Sequence, residues 1–270
     1  MPGGGRLMEH RAIGIRVEDL TKDMGPNRAL EAVSLSLEPG LLHGLIGPEG
    51  SGKTTLLRNL IGLLTPTRGR VLFLEKGRAV PLGELRPRMA YMPQMQSLYA
   101  DLSISEHLDF FRDLYQIPAE TYRNRRKELL RITRLEAFQD RPAGQLSGGM
   151  YKKLGLMCAL LQSPLLVFLD EPTTGVDPIS RREFWEMLYR LREEGILIVL
   201  TTAYMDEAER CDRVHVLEKG RLLASGEPRQ ILEREKVESF EKLFLRYEAR
   251  RTAEGGAGET PRSGEATGRS

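Results

Sequence analysis

The sequence predicts an α/β fold in which a parallel β core is joined to an antiparallel β subdomain and interrupted by a helical insertion. Three observations predict it. Gly47-Pro48-Glu49-Gly50-Ser51-Gly52-Lys53-Thr54 fits G-x-x-x-x-G-K-[ST] and lies between the apolar run Leu41 to Ile46 and a helix-like run, Thr55 to Leu64. Leu165 to Leu169 is an unbroken apolar run ending in Asp170-Glu171, as a strand buried on both faces reads. Strand character returns at Ile196 to Thr201 and at Val214 to Leu217, with helical segments expected at Ile179 to Arg192 and Met205 to Arg210, which makes βαβ units.

Along the chain, residues 1–12 read as a flexible N-terminus, because Met1-Pro2-Gly3-Gly4-Gly5 lacks the apolar centre of a signal peptide. Ile13, Ile15, Val17 and then Val33, Leu35, Leu37 alternate with polar residues, so antiparallel strands are expected ahead of the glycine loop. Val71 to Leu74 and Met89 to Met92 read as further strands. From Ser105 to about Leu161 the period becomes helical, with Leu108, Phe111, Leu114 and Tyr115 on one face, giving a helical subdomain over roughly 100–161. Ile231, Leu232, Phe240, Leu243, Phe244 and Tyr247 mark terminal helices packed on the core up to about residue 250. The segment 251–270 is rich in Gly, Glu, Thr, Ser and Arg and is expected to be disordered, having too few apolar groups to offset the entropy of ordering.

Composition narrows the function classes. A net charge of +2 gives no general attraction to nucleic acid, and no nucleic-acid partner is expected; Arg123-Asn124-Arg125-Arg126-Lys127 reads as a solvated helix face. Cys158 and Cys211 are far apart and form no C-x-x-C pair, which points to a reducing compartment. No apolar run reaches the length of a bilayer span.

The chemistry concentrates at the glycine loop. Its glycines let successive N–H groups turn inward, Lys53 adds a full positive charge, and the Thr54 hydroxyl is suited to Mg²⁺ beside the β- and γ-phosphates of a nucleotide, with Thr55 continuing into the helix. Ligands of parallel sheets gather at the carboxyl ends of strands, where Asp170 would hold Mg²⁺ and Glu171 would polarise an attacking water. Leu146-Ser147-Gly148-Gly149-Met150 opens an apolar helix, and Ser147 reads as its N-cap.

Taken in order, these stretches resemble the nucleotide-binding subunit of an ATP-binding cassette (ABC) transporter up to about residue 250, which makes the expected fold that of a P-loop NTPase cassette. Residues 47–54 resemble Walker A, Leu166 to Asp170 with Glu171 resemble Walker B and its catalytic glutamate, and residues 146–150 resemble the LSGGQ signature. Gln94 in Tyr91-Met92-Pro93-Gln94 resembles the Q-loop glutamine, and Thr174-Gly175-Val176-Asp177 resembles the D-loop. The resemblance implies ATP and Mg²⁺ as cofactors, ATP hydrolysis, and a position on the cytoplasmic face of a membrane through an integral membrane permease. It also implies a second cassette, in a homodimer or an asymmetric heterodimer. There Ser147 and Gly149 would contact the γ-phosphate held by the other cassette, and Gln94 would touch both Mg²⁺ and the membrane partner. Met92, Met95, Tyr99, Phe110 and Phe111 are then expected either to line the permease groove or to pack in the core. Exporters of drugs and similar hydrophobic cargo are the nearest likeness.

Three positions depart from the family pattern. Ala203 stands where a histidine usually contacts the γ-phosphate, so turnover is expected to be slow. Met24 stands where an aromatic residue usually stacks on adenine, and Met150 replaces the signature glutamine. The alternatives are a soluble cassette ATPase acting on ribosomes, DNA or cofactor assembly, and a regulatory cassette that binds ATP without hydrolysing it.

Overall fold

The computed structural model describes residues 12–95 and 98–255, with side chains described to residue 249. Most of the expected N-terminal segment, and the tail beyond residue 255, lie outside the described residues.

The strands are β1 (Ile13–Met24), β2 (Asn27–Leu37), β3 (Leu42–Ile46), β4 (Arg68–Glu75), β5 (Arg78–Val80), β6 (Met89–Met92), β7 (Leu166–Asp170), β8 (Leu197–Thr202), β9 (Arg213–Glu218) and β10 (Arg221–Gly226). The α-helices are α1 (Lys53–Leu60), α2 (Leu82–Leu85), α3 (Ile104–Leu114), α4 (Ala119–Thr133), α5 (Gly148–Leu160), α6 (Pro178–Glu193), α7 (Pro228–Glu235) and α8 (Phe240–Gly255). One sheet has the order β2-β1-β4-β5 and is antiparallel. The other has the order β10-β9-β3-β8-β7-β6 and is parallel except for β10 at its edge.

The local chemistry explains the division. β3, β7 and β8 are buried at every residue and occupy the middle of the parallel sheet, where both faces are covered. β1 and β2 alternate buried with exposed positions instead, as a sheet with one wet face requires. One apolar cluster lies between the parallel sheet and helices α3 to α8, and a second lies between the two sheets around α1. The Leu41 to Ile46 run therefore joins the parallel sheet, and the antiparallel strands ahead of it form a separate layer.

Several expectations change. Met205–Arg210 is a 3-10 helix; its buried Glu207 is drawn inward by Thr173, Arg181 and Trp185, which tightens a turn of only six residues. The helical insertion is three helices, with 3-10 turns at Glu136–Phe138 and Ala143–Gln145 between α4 and α5, and Leu114 faces solvent at the end of α3. β5, α2 and β10 carry no strong period and were not anticipated. α8 continues to Gly255, into the start of the segment 251–270.

Behind β3 runs a buried polar chain whose direction chemistry fixes. The Glu38 carbonyl can only accept, so His43 Nε2–H donates to it at 3.0 Å. In the neutral ring His43 Nδ1 then accepts, and His215 Nε2–H donates to it at 3.2 Å. His215 Nδ1 is left to accept from the Ser225 hydroxyl at 2.9 Å. Burial pushes both imidazoles below the usual histidine range and keeps them neutral.

Candidate functional site

The turn between β3 and α1 needs glycine where the chain crowds itself. A Cβ on Gly47 would lie 2.2 Å from the Leu217 carbonyl oxygen, and Gly52 has φ 102° with Ala29 O 2.7 Å from the place of a Cβ. α1 begins without a side-chain cap, which leaves the N–H groups of its first turn available to an anion. These groups edge a cavity of about 370 Å³ lined by Ala29, Glu49, Gly50, Ser51, Gly52, Lys53, Thr54, Thr55, Gln94 and Glu171. Gly47 and Pro48 stand behind it and act through their carbonyls, which accept from Lys53 Nζ at 2.8 and 2.9 Å. The Lys53 side chain is 4% exposed, and its ammonium lies 3.9 Å from Glu171 Oε1. Burial pulls it below the usual lysine range, against the opposing pull of Glu171, Asp170 and Glu49.

The acids at the end of β7 meet this loop. Asp170 Oδ1 accepts from the Thr54 hydroxyl at 2.8 Å and from the Thr201 hydroxyl at 2.7 Å. Its other oxygen, Oδ2, is buried with no hydrogen-bond partner. A buried, unpartnered carboxylate oxygen beside a threonine hydroxyl is a set of hard oxygen donors, and it fits Mg²⁺. Glu171 follows with φ 46°, a left-handed conformation uncommon for a residue with a side chain. Its Oε2 accepts from Gln94 Nε2 at 2.9 Å and from Thr174 Oγ1 at 3.3 Å.

The residues singled out in sequence fall into two places. Lys53, Thr54, Gln94, Asp170 and Glu171 are brought together. Leu146 to Met150 do not line the cavity; Ser147 and Gly148 are exposed, and Ser147 caps α5 by accepting the Met150 N–H at 3.3 Å. Gly149 lets α5 abut α6, since a Cβ there would lie 2.4 Å from Ser180 Cβ. Asp177 caps α6 by accepting from Ile179 N at 3.1 Å and Ser180 N at 3.0 Å; the Ser180 bonds hold its carboxyl below the usual range. Met24, 48% exposed at the end of the β1–β2 hairpin, is outside the cavity lining, where Ala29 stands. Ala203 is half-buried between β8 and the 3-10 helix, and its methyl group supplies no polar atom. In the Met- and aromatic-rich run, Met92 is buried and Phe111 packs on the core, whereas Met95, Tyr99 and Phe110 are exposed.

Sequence reading missed three contributors. Thr201 lies one strand over from Asp170 in the β7–β8 register. Lys152 Nζ donates to the Gln94 carbonyl at 2.8 Å, and the neighbouring Tyr151 hydroxyl accepts from Leu98 N at 3.0 Å, which ties α5 to the Gln94 segment. Glu207 gathers Thr173, Arg181 and Trp185 on Oε1, binding α6 to the segment after Ala203. The one available signal was a pair of hydroxyls, Thr201-Thr202, closing an otherwise apolar strand.

Comparison with known proteins bears on the same residues. Positions 30–174 match the family described as ABC transporter. The chain is 42% identical over 212 residues to a probable multidrug ABC transporter ATP-binding protein, YbhF, of Escherichia coli, covering 78% of this chain and 37% of that one. It thus spans well under two thirds of that relative's length. It is 39% identical to Nod factor export ATP-binding protein I of Ralstonia nicotianae, covering 82% of this chain and 69% of the relative. A solved ATP binding subunit of an ABC transporter superposes with a TM-score of 0.74 at 31% identity, covering 86% of this chain and 98% of the other. Among the described residues no helix is long and apolar enough to cross a membrane.

Proposed function

The chain belongs to the ABC transporter family, with the fold of its ATP-binding cassettes, and on that premise we propose that it is the ATP-binding subunit of an exporter. Its ATP hydrolysis drives a separate integral membrane permease, on whose cytoplasmic face it sits. The observation that carries the ATP site is the convergence of Lys53, Thr54 and Glu171 on one cavity, with buried Asp170 hydrogen-bonded to Thr54. Export rests on the relatives named for multidrug and Nod factor export.

The first-turn N–H groups of α1 and the Lys53 ammonium bind the phosphates of ATP. Thr54, Asp170 and Gln94 would hold Mg²⁺, and the ion would supply neutralisation of phosphate charge. Glu171 orients a water and takes its proton as the water oxygen bonds to the γ-phosphorus and the bond to the β-phosphate oxygen breaks. Ser147 and Gly149 serve the γ-phosphate of a second cassette, identical or related, with Asp177 at the same face. Exposed Met95, Tyr99 and Phe110 receive the permease.

Turnover is slow because Ala203 offers no hydrogen bond where an imidazole is usual. A positioned polar catalytic group is commonly worth about 10²–10⁴ in rate. The same alanine favours a second reading, a regulatory cassette that binds ATP and closes without hydrolysing it. Steady-state phosphate release by the purified chain, beside Ala203→His, tests the rate, and co-purification from detergent-solubilised membranes tests the partner. An integral membrane protein retained with the chain and a gain from Ala203→His of about tenfold or more are expected. Ribosomal material in its place overturns export, no gain removes the rate argument, and ATP-dependent dimerisation without phosphate release establishes the regulatory reading.

A further inference from the structure

We propose that Thr201 is a positioning residue that sets both carboxylates of the site with one hydroxyl; the proposal rests on the ATP-site reading above. Thr201 lies on β8 opposite Asp170 in the parallel register and is fully buried. Its Oγ donates to Asp170 Oδ1 at 2.7 Å and accepts the Glu171 N–H at 2.9 Å. A threonine hydroxyl has one proton, so the bond to Asp170 fixes the rotor and leaves a lone pair for Glu171.

Each bond has a separate consequence. The donation to Oδ1 fixes the rotation of the Asp170 carboxylate so that Oδ2, buried and unpartnered, is kept for a cation. Thr54 shares Oδ1 at 2.8 Å, so this oxygen has two donors. Thr201 is the one that does not itself face the proposed cation, and it ties Asp170 to the neighbouring strand. The accepted N–H holds the Glu171 backbone at φ 46°, a strained conformation that needs an external tie. Outer hydrogen-bond partners of metal ligands commonly change metal affinity by about 10–100-fold.

The test compares Thr201→Val, which keeps the shape and loses the hydroxyl, with Thr201→Ser, which restores it. The full chain is titrated with a fluorescent ATP analogue with and without Mg²⁺, and the Mg²⁺ concentration for half-maximal phosphate release is measured alongside. Thr201→Val should bind the analogue without Mg²⁺ as the parent does, lose the Mg²⁺-dependent part of the affinity, and require about tenfold more Mg²⁺, with Thr201→Ser returning both to the parent values. If the valine variant does not fold, Thr201→Ala supplies the same comparison. Parent-like Mg²⁺ dependence in the hydroxyl-less variant, or no rescue by serine, overturns the role of Thr201. Absence of analogue binding by the parent chain under every condition instead removes the ATP-site reading itself.

Discussion

The cavity around Lys53 and the tip around Ser147 follow opposite rules. In the cavity the reactive groups already have partners within the chain: Lys53 on the Gly47 and Pro48 carbonyls, Thr54 on Asp170, and Gln94 on Glu171. At the tip Ser147 and Gly148 are exposed, and among the described residues the Ser147 hydroxyl accepts the capping bond from Met150 N at 3.3 Å. The cavity is pre-organised by strands of one sheet. The tip is a helix N-terminus that presents Ser147 and Gly148 to solvent, with Gly149 buried behind them and Asp177 Oδ2 3.5 Å from the place of its Cβ. The difference teaches that this fold carries one internally partnered cavity and, elsewhere, one exposed helix start, which on the function proposed above would cover the cavity of a second cassette.

The comparison breaks most sharply with Glu171→Gln. The amide keeps the shape but cannot take a proton, so phosphate release should fall by about 10²–10⁴ while nucleotide affinity stays near the parent value. Loss of affinity instead would mean that Glu171 serves binding. Ser147→Arg should also suppress phosphate release, yet leave the affinity of the isolated chain for an ATP analogue within about twofold, because the tip lies outside its own cavity. A matched loss of affinity would show the two regions acting in one chain. Size-exclusion chromatography with ATP then sharpens the contrast: Glu171→Gln should retain the dimer, and Ser147→Arg should abolish it.

The smallest effect concerns support. His43 and His215 have folded-state pKa values below their unfolded values, so the unfolded chain binds protons that the folded chain refuses. Their contribution to stability is complete above about pH 6.5 and is lost as pH falls below it, by up to about 1.4 kcal/mol per pH unit for each histidine. Urea midpoints should drop between pH 7 and pH 5, and amide exchange should rise in β3 and β9 before it rises in α5. A flat profile, or α5 opening first, would detach the histidine chain from the cavity's scaffold.

What was legible in the sequence follows the range of the interaction. The glycine loop, Lys53, Thr54 and the apolar strand ending in Asp170-Glu171 are local spacings, and the fold class follows from the strand and helix periods around them. Thr201 was not legible, because its role depends on β8 lying beside β7 in a particular register. Lys152 and Glu207 act across helices that the sequence does not place next to the Gln94 segment or Thr173. Met24 illustrates a different obstacle. Its place rests on the family resemblance and not on a local spacing; in the structure Met24 is exposed outside the cavity lining, and Ala29 on β2 is part of that lining.

The close approach at Gly149 carries a mechanical consequence. With 2.4 Å between Ser180 Cβ and the place of any added methyl, α5 and the start of α6 have no slack between them. A displacement of α5 toward α6 has no free space to take up, so the two helix starts capped by Ser147 and Asp177 are expected to shift together.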